Sequence, residues 1–392
     1  MSNVNEIPNG WEETTLGDLI DIFNQKRIPL STNVRSTRKG VYPYYGASNI
    51  VDYIDDYIFD GTFLLISEDG ENLNTRNTPI AFIAKGKFWV NNHAHIVKGK
   101  KEYLTKYLEL YLSKLDISGF ITGAVQPKLS KGNLVNIPIK ISKSEDEQKA
   151  IANILTSFDD KIENLQAQNK TLETTSQTIF KEWFGKYQIG DDLPKDWRVG
   201  KIGDLTEIKR GGSPRPIKDY ISDSGYRWLK ISDATATKSP YIFNIKEHIK
   251  IEGLKKTTLK KAGDLVLSNS ATPGMPKFLA VDSCVHDGWM HFPSSMVSNE
   301  YLYLLFLHIR PRLVQQGSGS VFVNLKTDIL RYYETVVPSE STLLNFDKLI
   351  KPIFDKIYSN ATQIQTLTKT RDTLLPKLMS GTIRVNGFKS KV

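Results

Sequence analysis

Residues 144–185 read SEDEQKAIANILTSFDDKIENLQAQNKTLETTSQTIFKEWFG, with no proline and no glycine before Gly185. Apolar side chains recur at alternating steps of four and three: Ile151, Leu155, Phe158, Ile162, Leu165, Leu172, Ile179 and Trp183. Asn169 and Ser176 stand at two positions of the same stripe. A repeat of 3.5 residues is the seam of a coiled-coil helix, and polar residues within it set the register. Ser144 and Glu147 read as an S-x-x-E capping box, and Gly185 as a stop. A helix of roughly 40 residues spans on the order of 60 Å. With a single apolar face it needs a partner stripe.

The chain supplies one. The spacing returns at Phe346, Ile350, Ile353, Ile357, Asn360, Ile364, Leu367, Arg371, Leu374 and Leu378, and stops before Gly381. Pro352 lies inside this stripe, so a kink or a late start is expected there. Two long helices so far apart, each closing a large region, point to an internal duplication. The region openings agree. Ile7-Pro8-x-x-Trp11 followed by Leu16-Gly17-Asp18-Leu19 recurs as Leu193-Pro194-x-x-Trp197 followed by Ile202-Gly203-Asp204-Leu205.

Between opening and helix, each half reads as twisted and β-rich, with dense turn residues. Strand-like segments include 62–67 and 264–268, and a short helix is expected at 102–112 and again at 300–308. Each half then has a loop and a strand, 119–129 with 134–141 and 317–325 with 332–337. The fold class is therefore α+β: two β-rich globular domains separated by two long antiparallel coiled-coil helices, in a pseudo-two-fold repeat. The expected boundaries are a first domain at 1–142, its helix at 143–185, a second domain at 186–340, its helix at 341–380, and a tail at 381–392. Gly381-Thr382-Ile383-Arg384-Val385 ends the second helix as Gly185–Gly190 ends the first, so the repeat is expected to close on itself with its ends adjacent.

This organisation resembles the specificity subunits of type I restriction–modification enzymes, and the resemblance covers essentially the whole chain. Its most specific residues are Arg371-Asp372-x-Leu374-Leu375-Pro376-Lys377-Leu378-Met379-Ser380-Gly381-x-Ile383-Arg384-Val385, with Ile179-Phe180-Lys181-x-Trp183-Phe184 in the first half. Glu147-Gln148 and the two Trp-x-x-x-x-(Leu/Ile)-Gly-Asp-Leu openings match as well. The second helix lacks the Glu-Gln at its start. The resemblance implies two target recognition domains, each reading one half of a bipartite, asymmetric DNA site. It implies helices that set the spacer and dock methyltransferase (modification) subunits, two of them, with translocase–nuclease (restriction) subunits in the full complex. The subunit itself would be a non-catalytic part of a DNA methyltransferase and ATP-dependent endonuclease complex. It would bind no cofactor, and S-adenosylmethionine, ATP and Mg²⁺ would sit on the partners. Outer-face residues Glu163, Gln166, Lys170, Glu173, Lys369 and Lys377 are the docking candidates.

Composition fits a polyanionic partner. The 392 residues carry a formal charge of +9 and are 40% hydrophobic, enough for substantial cores. A single cysteine, Cys284, allows no internal disulfide and suits a reducing compartment. The polar segment 1–10 does not read as a signal peptide, and the longest apolar run, 301–309, is far short of a membrane span. A cytoplasmic protein is expected.

DNA recognition needs cations for phosphates and amide, Arg or aromatic groups for base edges. In the first half the candidates are Lys26, Arg27, Arg35, Arg38, Lys39, Tyr42, Tyr44 and Asn49, then Asn72, Thr75 and Arg76, then Gln126 and Lys128. In the second half they are Arg210, Ser213, Arg215, Lys218, Arg227, Trp228 and Lys230, then Ser270, Thr272 and Lys277, then Ser320, Asn324 and Lys326. Each alone reads as a solvated loop residue; recurrence at matched places in both halves favours contact. The catalytic alternatives are thinner. A metal-dependent enzyme using His93, His95 or His291 lacks a cysteine pair and a matched histidine pair. Glu147-x-Lys149 has no partnering Asp, and residues 69–74 lack the glycine of a calcium loop. Neither a P-loop, a G-x-G-x-x-G nor an Asn/Asp-Pro-Pro-aromatic motif occurs. The closer alternative, the recognition subunit of a type IIB-like system, has the same physics with another partner.

Overall fold

The computed structural model describes residues 7–123, 125–315 and 324–385. It divides into two compact units. One is built from the residues up to Glu163 together with those from Thr366 on, the other from Asn164–Gln365.

The two long helices are Glu145–Phe180, of 36 residues, continued by one π-turn at Lys181–Gly185, and Glu340–Met379, of 40 residues. The first divides almost evenly, with 19 residues in the first unit and 17 in the second, whereas the second places 26 residues in the second unit and 14 in the first. In the first unit Ile151 and Leu155 pack with Leu375 and Leu378, and Arg371 donates to Asp159 at 2.7 Å. In the second, Asn360 Nδ2 donates to Asn169 Oδ1 at 3.0 Å, and Phe346 meets Phe180 and Phe184. Partners climb one helix as they descend the other, so the pairing is antiparallel. Of the two polar positions read in the first seam, Asn169 forms an interhelical lock with Asn360 and also donates to the Ile357 carbonyl, both side chains being buried, whereas Ser176 donates to the Glu173 carbonyl of its own helix.

The seam residues Ile151, Leu155, Ile162, Leu165, Ile350 and Ile357 are buried; Phe158, Leu172, Ile353, Ile364, Leu367 and Leu374 are half-buried. Near the end of the first helix burial passes from Ile179 and Trp183 to Phe180 and Phe184, and in the second helix Phe354 is more buried than Ile353. A straight α-helix repeats every 3.6 residues, so a strict 3.5 stripe drifts around it.

Two expectations change here. The second helix starts at Glu340 and runs through Pro352, so there is no late start. The capping box is half formed: Ser144 Oγ accepts from the Glu147 N–H at 3.4 Å, but the Glu147 carboxylate turns to Ser142 Oγ and Arg384. The N-terminal cap is thus traded for an ion pair with the segment beyond the second helix.

Each repeated opening is a strand and one helical turn. Trp11–Thr15 pairs with Pro138–Ser142, and Arg198–Lys201 with Glu334–Val337, both antiparallel. The next turns, Leu16–Leu19 and Ile202–Leu205, explain the (Leu/Ile)-Gly-Asp-Leu motif. Asp18 accepts from the Thr15 N–H at 3.2 Å and Asp204 from the Lys201 N–H at 2.9 Å, closing the turn. A Cβ at Gly17 would lie 2.9 Å from Val135 Cβ, and one at Gly203 would lie 2.7 Å from Arg331 Cγ, so glycine lets a second short helix pack against the turn. Those helices are Lys131–Val135, which replaces the start of the strand expected from 134, and Thr327–Arg331, which ends just before the strand expected from 332; the strands begin at Pro138 and Glu334. Ser130 Oγ accepts from the Asn133 N–H and caps the first of these helices, a signal that the apolar alternation hid. Gly17→Val should destabilise the first unit by about 1–3 kcal/mol in urea titration; an unchanged midpoint would mean the packed turns are loose.

The first unit holds a six-stranded sheet in the order Ile20–Ile22, Ala94–Gly99, Phe59–Ser67, Ala81–Val90, Lys39–Tyr45, Ile50–Ile54, with helix Glu102–Lys114 packed on it. The second holds two five-stranded sheets. One runs Lys209–Arg210, Trp289–His291, Leu265–Ser268, Pro276–Leu279, Tyr241–Ile242; the other runs Ile221–Ser222, Glu247–Ile249, Tyr226–Leu229, Ser283–Val285, Thr258–Lys260. Helix Asn299–Gln315 takes the place of Glu102–Lys114. The α+β class and the internal repeat read from the sequence are both present.

Candidate nucleic-acid interface

In the first unit the strand ends bring four loops together. The Glu68 N–H donates to the His93 carbonyl at 2.9 Å, Gly70 N–H to Pro127 at 3.0 Å, and Leu129 N–H to Glu68 at 2.8 Å, while Ser67 Oγ donates to Ala47. Arg27 sits at the centre: its guanidinium donates to Glu68 Oε2 at 2.6 Å and to the carbonyls of Asn92 and Ala94. Burial alone would raise the Glu68 carboxyl, but the Arg27 hydrogen bond and the charges of His95, Arg27 and Lys128 outweigh it and hold it below the ordinary value. His95 is buried, held by the Leu129 carbonyl at 2.7 Å and contacted by Asn24, and burial keeps it below its ordinary pKa. His93 pairs with Asp69 at 2.8 Å. Around this knot Asn49, Gln126 and Lys128 are exposed, and Asn72 braces its own loop through the Thr78 N–H and carbonyl. Thr75 donates to the Glu71 carbonyl, and Arg76 to the Leu115 carbonyl at 2.6 Å.

The second unit repeats the device with different side chains. Arg210 donates to the Asp287 carbonyl at 2.7 Å, as Arg27 does to Asn92. Asn269 N–H donates to Gly288 and Leu325 N–H to Asn269, matching Glu68–His93 and Leu129–Glu68. Asp287 organises the loops: it accepts from Ser213 Oγ at 2.7 Å and from Arg215 at 3.3 Å, and its carbonyl also accepts from Asn269. The Ser213 hydrogen bond is the main reason its carboxyl lies below the ordinary value. Asp287 was absent from the sequence candidates; the Asp287-Gly288 turn signal was its only trace. Ser270 and Thr272 lie in the same loop as Asn269 and are half-buried, the Thr272 hydroxyl being enclosed without a hydrogen-bond partner among the described residues, whereas Asn324 and Lys326 flank Leu325 and are exposed. Ser320 lies outside the described residues.

A second set of candidates forms a separate patch on the sheet edge. Arg35 pairs with Asp52 and donates to Leu30, Arg38 pairs with Asp55 at 2.8 Å, and Lys39 pairs with Asp52 at 2.7 Å. Arg38 also lies over the Trp89 ring, and Tyr42 packs on Tyr57. Their charge is already matched by carboxylates. Lys230 pairs likewise with Glu247, whereas Lys218 and Arg227 are exposed. Three candidates are buried and present no surface: Tyr44, Trp228 and Lys277. Tyr44 OH accepts from the Leu30 N–H, and Lys277 donates to the Thr237 and Ser239 carbonyls at 3.0 and 2.5 Å, its pKa pushed down to about 8 by burial. Loop cations and aromatics look alike in sequence whether they face solvent or brace the loop. Of the outer helix residues, Glu173 is half-buried and its carboxyl is pushed up to about 7 by burial; the other five are exposed.

Arg27→Ala should therefore act through the fold, costing about 2–3 kcal/mol by stranding the Glu68 carboxylate. Lys26→Ala, whose side chain only overlies Phe23, should leave Tm unchanged and reduce the slope of log K against log salt by about 1. Melting curves and a salt series check both.

His93 belongs to the first unit and His291, buried in strand Trp289–His291, to the second. Among the described residues no three His, Cys, Asp or Glu side chains gather to hold a metal ion. Burial pushes the Cys284 thiol up to about 11. No helix of the described residues is long and apolar enough to cross a membrane.

The family model described as type I restriction modification DNA specificity domain matches twice, at residues 8–174 and 194–371, each time spanning one globular part and most of the long helix that follows. The type I restriction enzyme MjaIX specificity subunit of Methanocaldococcus jannaschii is 26% identical over 98% of this chain and 96% of its own. A putative type I restriction enzyme specificity subunit of Haemophilus influenzae is 32% identical over 82% of each chain. The crystal structure of a type I restriction–modification S subunit from M. genitalium has the same fold, with a TM-score of 0.63 over 96% of this chain and 97% of that one at 17% identity. With two copies of the domain covering most of its length, the chain belongs to the type I restriction–modification DNA specificity family.

Proposed function

We propose that this protein is the DNA-reading subunit of a type I restriction–modification complex, that each unit reads one half of a bipartite, asymmetric duplex site, and that it does no bond chemistry itself. The observation that carries this is the duplicated loop knot: in each unit an arginine on a turn carbonyl, Arg27 on Asn92 and Arg210 on Asp287, gathers matched loops into one exposed polar face. Exposed Lys26, Lys128, Lys218, Arg227 and Lys326 supply phosphate contacts, and exposed amides such as Asn49, Gln126 and Asn324 supply base contacts. Methyltransferase subunits, two of them, dock on the exposed helix residues Glu163, Gln166, Lys170, Lys369 and Lys377, and translocase–nuclease subunits join the assembled complex. S-adenosylmethionine, ATP and Mg²⁺ belong to those partners, in the cytoplasm.

The test is exchange of residues 1–142 for those of a relative, read by methylation-site sequencing in cells that carry the partners. One half of the target should change and the other stay. A folded chimera that loses both halves would sink the modular reading.

In the same reading helix length sets the number of base pairs between the half-sites. One heptad added after Leu165 and another after Ile364 keeps the facing stripes in register and lengthens each helix by about 10 Å. The mapped spacer should grow by roughly three base pairs, from a rise of about 3.4 Å each. An active double insertion with an unchanged spacer would mean the helices do not set it.

A further inference from the structure

The loop 122–128 of the first unit carries a feature that the phosphate and amide contacts leave unused. Val125 is 98% exposed, more than any other large hydrophobic residue among those described. It stands at the turn of a tight hairpin, where the Thr122 N–H donates to the Lys128 carbonyl at 2.9 Å and the Lys128 N–H donates back at 2.7 Å. Gly123 makes the turn possible: its φ is +89°, and a Cβ there would lie 2.3 Å from the Gln126 carbonyl oxygen. The base of the hairpin is fixed to the loop knot through Pro127 and Leu129. An apolar side chain held in water at the tip of a braced turn gains nothing for the fold. Beside it Gln126 is exposed and makes no side-chain hydrogen bond among the described residues.

We infer that Val125 and Gln126 form a base-reading pair that recognises an A·T base pair from the major groove, Gln126 on the adenine and Val125 on the thymine methyl group. The inference rests on the DNA-reading function proposed above and names what one hairpin reads. Three physical points select this partner. A narrow turn closed by one bridge and carrying two adjacent side chains has room in the major groove, about 12 Å wide, and not in the minor groove, about 6 Å wide. A glutamine amide matches the N6 donor and N7 acceptor of adenine in a bidentate pair. The 5-methyl of thymine is the apolar group that a B-form major groove offers to a valine. Lys128, at the base of the same hairpin, lies 3.7 Å from Glu68, a carboxylate already bonded to Arg27, and its half-exposed side chain is within reach of a phosphate.

The test uses the full chain with its methyltransferase partners and duplexes carrying the mapped site. Within the half-site assigned to the first unit by exchange of residues 1–142, each thymine is replaced in turn by deoxyuridine, and each adenine by 7-deaza-adenine. One deoxyuridine should weaken wild-type binding about four-fold, the worth of one buried methyl group. Its paired 7-deaza-adenine should weaken it roughly ten-fold. Val125→Ala should bind thymine and deoxyuridine duplexes alike, and Gln126→Leu should lose the 7-deaza effect, both with unchanged Tm because the side chains touch no core. Wild-type binding that prefers the mapped site yet ignores every substitution overturns this inference alone, as does a Val125→Ala protein as sensitive to deoxyuridine as wild type. Absence of any preference over scrambled duplex overturns the DNA-reading function, and this inference with it.

Discussion

Phe346→Ala is expected to destabilise the unit formed by residues 164–365 by about 3–5 kcal/mol, the usual cost of emptying a phenylalanine site in a closed core. Phe346 is fully buried on the second long helix, and its ring lies 4.8 Å from Phe184, 5.7 Å from Trp183 and 6.0 Å from Phe180 and Tyr301. Those rings come from the end of the first long helix and from helix Asn299–Gln315, so the cavity would open where three helices meet. Phe180 and Phe184 touch Tyr301 and each other as well, which leaves little freedom for the site to collapse around an alanine. Hydrogen exchange by segment reads the result: amides of Asn299–Gln315 should lose protection while those of Glu102–Lys114 keep theirs. Phe346→Leu, which keeps most of the volume, should cost under about 1.5 kcal/mol. Equal loss of protection in both helices would show that the chain unfolds as one body.

The elements that dictate this architecture were legible because long-period patterns survive without tertiary knowledge. The seam from Ile151 to Trp183 and its partner from Phe346 to Leu378 needed only spacing, and Asn169 could be read as a polar break, but spacing alone did not separate it from Ser176, which bonds within its own helix. The repeated Trp11 and Trp197 openings were equally open to reading, because a strand, a capped turn and a closely approached glycine each demand particular residues. The candidate interface was legible only as loops. Arg27 and Lys26 are neighbours of the same charge, yet one braces four loops through Glu68 and the other overlies Phe23 at the surface. What separates them is which way the chain turns after Phe23, and that is fixed by strand Ala94–Gly99, far along the sequence. Tyr44, Trp228 and Lys277 misled for the same reason. Asp287 went unnoticed because its role is to accept hydrogen bonds from Ser213 and Arg215, residues more than seventy positions earlier.

Glu147→Gln should destabilise the first unit by about 1–2 kcal/mol at pH 7, and the gap from wild type should close in acid. Glu147 is 5% exposed and is bonded by Arg384 Nε at 2.7 Å, Arg384 Nη2 at 2.8 Å and Ser142 Oγ at 2.6 Å. The Arg384 hydrogen bond, helped by Ser142 and the Val385 N–H, holds its carboxyl below the ordinary value of 4.5 against the opposing effect of burial. A carboxyl depressed in the folded state stabilises fully above its unfolded pKa and loses that contribution as pH falls through the folded one. The gap should therefore be constant from pH 7 to about 5 and shrink below about 4.5. Other acid-sensitive groups, such as the buried His95, titrate in both proteins and cancel in the difference. Urea titrations of both proteins at pH 7, 5.5, 4 and 3 measure it. A gap that stays the same at every pH would mean the glutamine acts through packing and not through lost charge. The second unit provides the contrast. Its corresponding closure, where the first long helix ends, is made by Phe184, Tyr187, Trp197 and Phe346, with no carboxylate among them. The stability difference between wild type and Phe346→Ala should therefore be the same at pH 7 and pH 4, although the two closures stand at equivalent points of the repeat.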